Sequence, residues 1–170
     1  VQQLHEIKLC FDAGISRESW QSGVMTMNTS RLFFPSLGGI YTKLADPSIA
    51  LLRIIAGLAL VTHGYGKIMD PMANAGFLEG LGFWPGEFWS PLLACTEFFG
   101  GIFLAIGLFT RPAALFAMIV LLVTVWFHWF VQGEGYGGSE KSILWSAICF
   151  YFVVHGGQHF AVDRILKREI

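Results

Sequence analysis

Four apolar runs, each close to the ~20 residues that a ~30 Å hydrocarbon core demands of a helix, constrain what this chain can fold into more than any other feature. They extend from about Ser48 to Met69, from Ser90 to Thr110, from just after Arg111-Pro112 to near Gln132, and from Ser139 to about Phe160. Proline is tolerated in the first turn of a helix and serine caps one, so Pro47 and Ser90-Pro91 are read as helix starts. Asp70-Pro71 closes the first run, Arg111-Pro112 is a tight connection, and Gly133 to Gly138 is a glycine-rich turn before the fourth run. The expected fold is all-α, an integral membrane four-helix bundle.

Composition agrees with a membrane protein. Of 170 residues, 54% are hydrophobic and 14% charged, with a mean hydropathy of +0.58, whereas a soluble domain carries ~25% charged residues. A net charge of −1 provides no electrostatic footprint for nucleic acid, and that class of partner is excluded. Cys10, Cys95 and Cys149 show no C-x-x-C spacing. The two within apolar runs are read as small hydrophobes.

Lysine and arginine accumulate on the cytoplasmic side of membrane helices. Arg31 and Lys43 precede the first run, Arg111 separates the second and third, and Arg164, Lys167 and Arg168 follow the fourth; the stretches 70–89 and 133–138 contain neither residue type. Both termini are therefore expected in the cytoplasm, with the chain passing several times through a membrane. Trp84, Trp89, Trp126, Trp129 and Trp145, near the two loops without basic residues, mark the outer interface. Residues 1–46 are read as an N-terminal cytoplasmic segment, 47–166 as the membrane domain and 167–170 as a short tail. Residues 1–24 hold no apolar run and are read as an upstream extension ahead of Met25 or Met27, as a docking tail for a partner, or as a mobile segment.

A carboxylate among lipid tails is costly unless it faces the protein interior and finds a partner, which makes it a functional-site candidate. Glu97 is such a residue. With ~1.5 Å of rise per residue, His63 and Glu97 lie ~9 to 10 Å below the outer surface and His128 ~6 Å below it. Lys67 and Glu140 sit at the rim above them, so these five residues are expected at one outer level. Arg53 and His155 lie ~24 Å down and form an inner tier, with His159 and Asp163 extending it along one stripe if the fourth helix continues that far.

The order of these residues resembles the DoxX family of small bacterial membrane proteins. The resemblance rests on Leu52-Arg53, Gly57, His63-Gly64 and Lys67 in the first run, and on Glu97-x-x-Gly100-Gly101-x-x-Leu104-x-x-Gly107-x-x-Thr110-Arg111-x-Ala113-Ala114 in the second. Glu140, Gly156-Gly157 and Asp163 are similar to the family's close, while His155 and His159 depart from its usual pattern. The resemblance covers about residues 47–166. It implies a four-helix membrane domain of the kind also found in the DoxD-like subunit of thiosulfate:quinone oxidoreductase.

A quinone needs an apolar slot, donors to its carbonyls and a group that exchanges protons. On that reading Glu97 and His63 are the candidate catalytic residues, and Lys67, His128, Glu140, Arg53 and His155 bind the quinone or complete the polar cluster. The chain carries no flavin fingerprint, metal motif or C-x-x-C, so electrons would come from partner subunits. No metal is expected, because the stretch between His155 and His159 lacks the glutamate of a zinc-hydrolase helix. The alternative is a non-catalytic membrane anchor or assembly subunit of a larger complex, in which Glu97 with Lys67 or Arg53 forms an interhelical clamp and glycines permit close helix approach.

The orientation has a direct test: a cysteine placed between Gly133 and Gly138 should react with an impermeant reagent added outside the inner membrane. Reaction only from the cytoplasm would invert the topology.

Overall fold

The computed structural model describes residues 33–166, so the 1–24 segment, Cys10, Arg31, Lys167 and Arg168 lie outside the described residues. Every regular element among the described residues is helical: α1 Gly38–Met69, the short α2 Ala75–Gly80, α3 Gly86–Ile106, α4 Thr110–Val131, α5 Gly135–His155 and the short α6 Val162–Ile165. A π-helical turn interrupts α3 at Thr96–Gly100, and another ends α4 at Phe127–Val131. Helices α1, α3 and α4 are long and apolar enough to cross a membrane. The 21-residue α5 packs along α4 after a tight turn. The chain divides into two compact units, Val1–Asp46 and Pro47–Ile170, and the contacts that build the candidate site lie within the second.

Several helix boundaries differ from the sequence expectation. Pro47 lies inside α1 rather than opening it; proline's missing donor removes one hydrogen bond, and residues 40–46 contain no second breaker. Pro91 likewise lies inside α3, whose N-cap is Pro85 in an extended conformation. The Gly86 amide at that end donates to Glu79 Oε1 at 2.9 Å, while Ser90, expected as the cap, is buried and donates to the Pro71 carbonyl at 2.6 Å. Thr110 opens α4 instead of ending α3. Gly107, at φ 76°, closes α3 in a Schellman arrangement, with Leu108 N bonded to Phe103 O at 2.9 Å and Gly107 N to Leu104 O at 3.2 Å.

The fourth helix is displaced in the same way. It begins at Gly135, within the glycine-rich turn, and stops at His155. Gly156 adopts φ 70° and ψ −164°, a conformation open essentially to glycine alone. The stripe through His159 and Asp163 therefore does not form, and the chain from Gly156 to Ala161 runs as an irregular strap into α6.

Side-chain size is distributed as lipid requires rather than as water does. The core is small, built on Ala56, Leu60, Leu104, Ala114, Ala117, Leu121, Cys149 and Phe152. Large apolar side chains such as Leu51, Ile55, Leu58, Phe103, Phe116, Ile119, Leu122 and Phe150 point outward. A soluble monomer rarely exposes so continuous an apolar surface.

Helix α1 meets α3 through Arg53, Gly57, Leu60, Gly64 and Lys67, whose alternating spacings of four and three residues keep them on one face. The two backbones touch there. A Cβ on Gly101 would stand 2.8 Å from Gly57 O and 2.9 Å from Val61 N, and one on Gly64 would stand 2.8 Å from the Glu97 carbonyl carbon. Gly101→Leu or Gly64→Leu should destabilise the protein by about 3 kcal/mol or more, the upper end of overpacking costs, because backbone atoms cannot rotate away. Gly66 and Gly100 have nothing within 4 Å of a new Cβ, so alanine at either should change stability by less than about 0.5 kcal/mol. Thermal unfolding of the four variants in one detergent checks the contrast.

Candidate functional site

The end of the α1–α3 contact nearest Met69, expected to be the outer one, carries the charge. Gly64 lets α1 lie against the backbone of Glu97 and Phe98, which brings Lys67, at the last turn of α1, onto the Glu97 carboxylate as a short ion pair. The Glu97 side chain is 9% exposed and that of Lys67 30%, so the acid is buried and the ammonium reaches outward, as a long cationic side chain near a membrane interface does. Glu97 sits on the π-turn of α3, a local widening that recurs at functional sites.

His63 lies one turn below Lys67 on α1 and is exposed. Its imidazole meets the Trp145 ring of α5 edge-on, with centroids 5.4 Å apart and planes at 78°. Neither ring nitrogen takes part in a hydrogen bond among the described residues. His63 thus stands one helical turn from Lys67, which holds Glu97, and the three lie toward one end of the α1–α3 contact.

The other expected members of the outer level stand elsewhere. His128, on the π-turn of α4, pairs through Nδ1 with Glu134 Oε2 at 2.7 Å across the turn into α5. Glu134 carries this pairing and was absent from the expected residues; the signal was a carboxylate six positions after His128 with Gly133, at φ 71°, folding the chain back between them. Glu140 lies inside α5, exposed, and makes no hydrogen bond or ion pair among the described residues.

The inner tier also separates. Arg53 is 1% exposed and donates to the carbonyls of Gly157 and of Phe160, the latter at 2.6 Å, so it grips the strap rather than His155. His155 is exposed, stacked on Tyr151 at 4.2 Å with its Nδ1 on the Tyr151 carbonyl at 3.0 Å. The end of α5 at Gly156 turns the chain away, which is why depth alone misplaced the pair. Arg53 with Glu97 is excluded as the clamp, because Lys67 holds the acid.

Asp163 joins the inner end most strongly. Its carboxylate accepts from Phe109 N at 2.8 Å, Thr110 N at 2.9 Å and Thr110 Oγ1 at 2.9 Å, and its own amide donates to Gly107 O at 2.9 Å. It caps α4 from a distant part of the chain. Arg111 does the converse, donating to the Val154 carbonyl at 2.8 Å and the Val153 carbonyl at 3.3 Å near the end of α5. Among the described residues no group of three histidine, cysteine, aspartate or glutamate side chains is arranged to hold a metal ion.

Comparison with known proteins matches the DoxX family model to residues 48–129. A relative named inner membrane protein YqjF, from Escherichia coli K12, is 31% identical over 129 residues, spanning 75% of this chain and 98% of its own length. This chain belongs to the DoxX family. A second relative, an uncharacterized protein of Haemophilus influenzae, is 31% identical over 125 residues, covering 68% of this chain and 87% of that one. No solved structure matches. The matched region contains Arg53, His63, Lys67, Glu97 and His128, and leaves Glu134, Glu140, His155 and Asp163 beyond it. This DoxX protein is a multi-pass protein of the bacterial inner membrane.

Breaking the ion pair has a computable scale. A fully buried pair that loses one partner costs about 3 to 5 kcal/mol and an exposed one at most about 1, so with Lys67 partly solvated Glu97→Gln should cost about 1 to 3 kcal/mol. Adding Lys67→Met should return part of that loss. A double-mutant cycle on detergent unfolding reads the coupling, and additive losses would show that the pair does not hold the helices together.

Proposed function

We propose that this protein is a membrane subunit of an oxidoreductase complex, with four spanning helices and cytoplasmic termini, and that its outer patch receives a quinone headgroup. The observation that carries the reading is His63. A ring on the outside of the bundle, ~9 Å below the end of α1, leaves its nitrogens facing lipid unless a polar group from outside the chain meets them. A quinone carbonyl is such a group. Trp145, edge-on to the imidazole, supplies a ring wall, and the neighbouring Lys67–Glu97 pair supplies a donor and a proton-exchanging acid near the outer surface.

In this reading His63 donates to one quinone carbonyl, Lys67 steers the headgroup, and Glu97 exchanges protons with the outer aqueous side. The electrons come from a partner subunit, since the sequence carries no flavin fingerprint, metal motif or C-x-x-C, and oxidation of a sulfur compound is one source compatible with the family. His128, Glu140, Arg53 and His155 lie outside the patch and take structural or peripheral roles.

A second reading is favoured by the occupancy of Glu97. Its carboxylate is already taken by Lys67, as expected of a non-catalytic anchor or assembly subunit whose polar residues hold its own helices together. His63→Phe separates the two, because it keeps the ring contact with Trp145 and removes both nitrogens. The quinone reading expects unchanged thermal stability and at least a tenfold loss of quinone-linked turnover in the complex purified from native membranes. Unchanged turnover and unchanged quinone content in that complex would leave the anchor reading standing.

A further inference from the structure

The turn from α4 into α5 sets two aromatic rings at a corner. Trp129 lies near the end of α4, a helix long and apolar enough to cross a membrane, and Tyr136 follows the first residue of α5. Gly133 and Gly135, at φ 71° and 61°, fold the chain back between them, and the indole and phenol rings stand 6.4 Å apart with planes at 82°. The turn is clipped as well as folded, because His128 holds the Glu134 carboxylate and the Glu134 amide donates to the His128 carbonyl at 3.0 Å. Both rings remain open to the surroundings, Trp129 at 38% and Tyr136 at 58% exposure. The face of such a ring carries negative potential and attracts a cation.

Glu140 is the independent observation that points to a cation. It lies one helical turn after Tyr136, on an outward face that continues with the exposed Leu144. It stands ~7.5 Å along α5 from Gly135, between an aromatic ring and an exposed leucine. Among the described residues it makes no hydrogen bond or ion pair. A carboxylate at the edge of a bilayer needs a partner, and a glutamate side chain is too short to extend toward water as a lysine does. An interfacial belt accounts for the two rings but not for an acid without a partner beside them. Lys141 is exposed next to Glu140, and Gly137, one turn before Lys141, has nothing within 4 Å of a new Cβ, so the surface beside the acid is open.

We propose that Trp129, Tyr136 and Glu140 form a site for the ammonium group of a zwitterionic phospholipid headgroup. The two rings and the carboxylate each supply one wall around the cation, Lys141 meets the headgroup phosphate, and Leu144 continues the outward face toward the acyl chains. Charge complementarity selects the lipid: an acid and a base side by side match a headgroup that carries both charges, whereas a simple amine uses the acid alone. The site shares no residue with His63, Lys67 or Glu97, so it stands whether or not those residues bind a quinone.

The test uses the full chain in lipid-free detergent, titrated with phosphatidylethanolamine and with phosphatidylglycerol of the same acyl chains, with bound lipid counted by native mass spectrometry. Phosphatidylethanolamine should bind about fivefold more tightly, the scale of one exposed ion pair. Glu140→Gln should weaken it about three- to fivefold and Tyr136→Leu about two- to fivefold, with phosphatidylglycerol not weakened by Glu140→Gln. Both side chains are exposed, so both variants should keep the unfolding midpoint of the unaltered chain. Phosphoethanolamine, the same headgroup without acyl chains, separates a lipid from a soluble amine: it should displace the lipid only at an excess of about a hundredfold or more, and displacement at equal concentration overturns the lipid assignment. The proposal is also overturned if Glu140→Gln binds phosphatidylethanolamine as tightly as the unaltered chain does. Equal binding of the two lipids by the unaltered chain overturns it without any variant.

Discussion

Helices α1 and α3 touch backbone to backbone, and the remaining structure depends on that contact. Lipid provides no hydrophobic force between helices, so packing and polar bonds must hold them. Gly57, Gly64 and Gly101 bring the two axes close enough for Lys67 to reach Glu97. A side chain at any of the three would push the helices apart and move the acid away from its cation. The outer patch therefore owes its geometry to residues that carry no chemistry.

The ends of the helices obey a second constraint. Unpaired amides and carbonyls near a hydrocarbon core are costly, and this chain meets several of them with charged side chains from elsewhere in the sequence. Glu79 bonds to the first amide of α3, Asp163 caps α4, and Arg111 and Arg53 take carbonyls at and beyond the end of α5. Anions stand at amino-terminal ends and cations at carboxyl-terminal ones, the sense the helix dipole favours. Charges that a reading by depth alone assigns to ligand chemistry are in several cases occupied with the backbone.

The two tiers differ in what they leave unsatisfied. At the outer end His63 turns free nitrogens outward beside a solvated lysine, and at the inner end Arg53 keeps an unsatisfied donor inward beside a helix terminus. The first stands on the outside of the bundle and the second within it. Glu134 and His128, by contrast, satisfy each other across a turn, and Gly138, over which the Glu134 side chain lies, leaves the room for it.

The apolar runs, the acid at Glu97, the lysine that could reach it and the glycines that permit close packing were legible in the sequence, because each follows from local hydropathy, helical period or residue size. Sequence offers Lys67 as the partner of Glu97, and Arg53 only with the helices displaced; the register of α1 against α3 decides for Lys67. Helix boundaries were misread at Pro47, Ser90-Pro91, Thr110 and Ser139, since proline, serine and glycine preferences are weak beside the gain from continuing a helix or capping it at a distance. The separation of His155 from Arg53 and the joining of Asp163 to Thr110 came from the left-handed turn at Gly107 and the reversal at Gly156. Sequence alone determined which segments are apolar and helical and which polar residues lie within them, because that depends on the solvent each residue prefers. Tertiary structure decided which of those residues meet, because a bond made over distances of 30 or 50 residues depends on the turns between them.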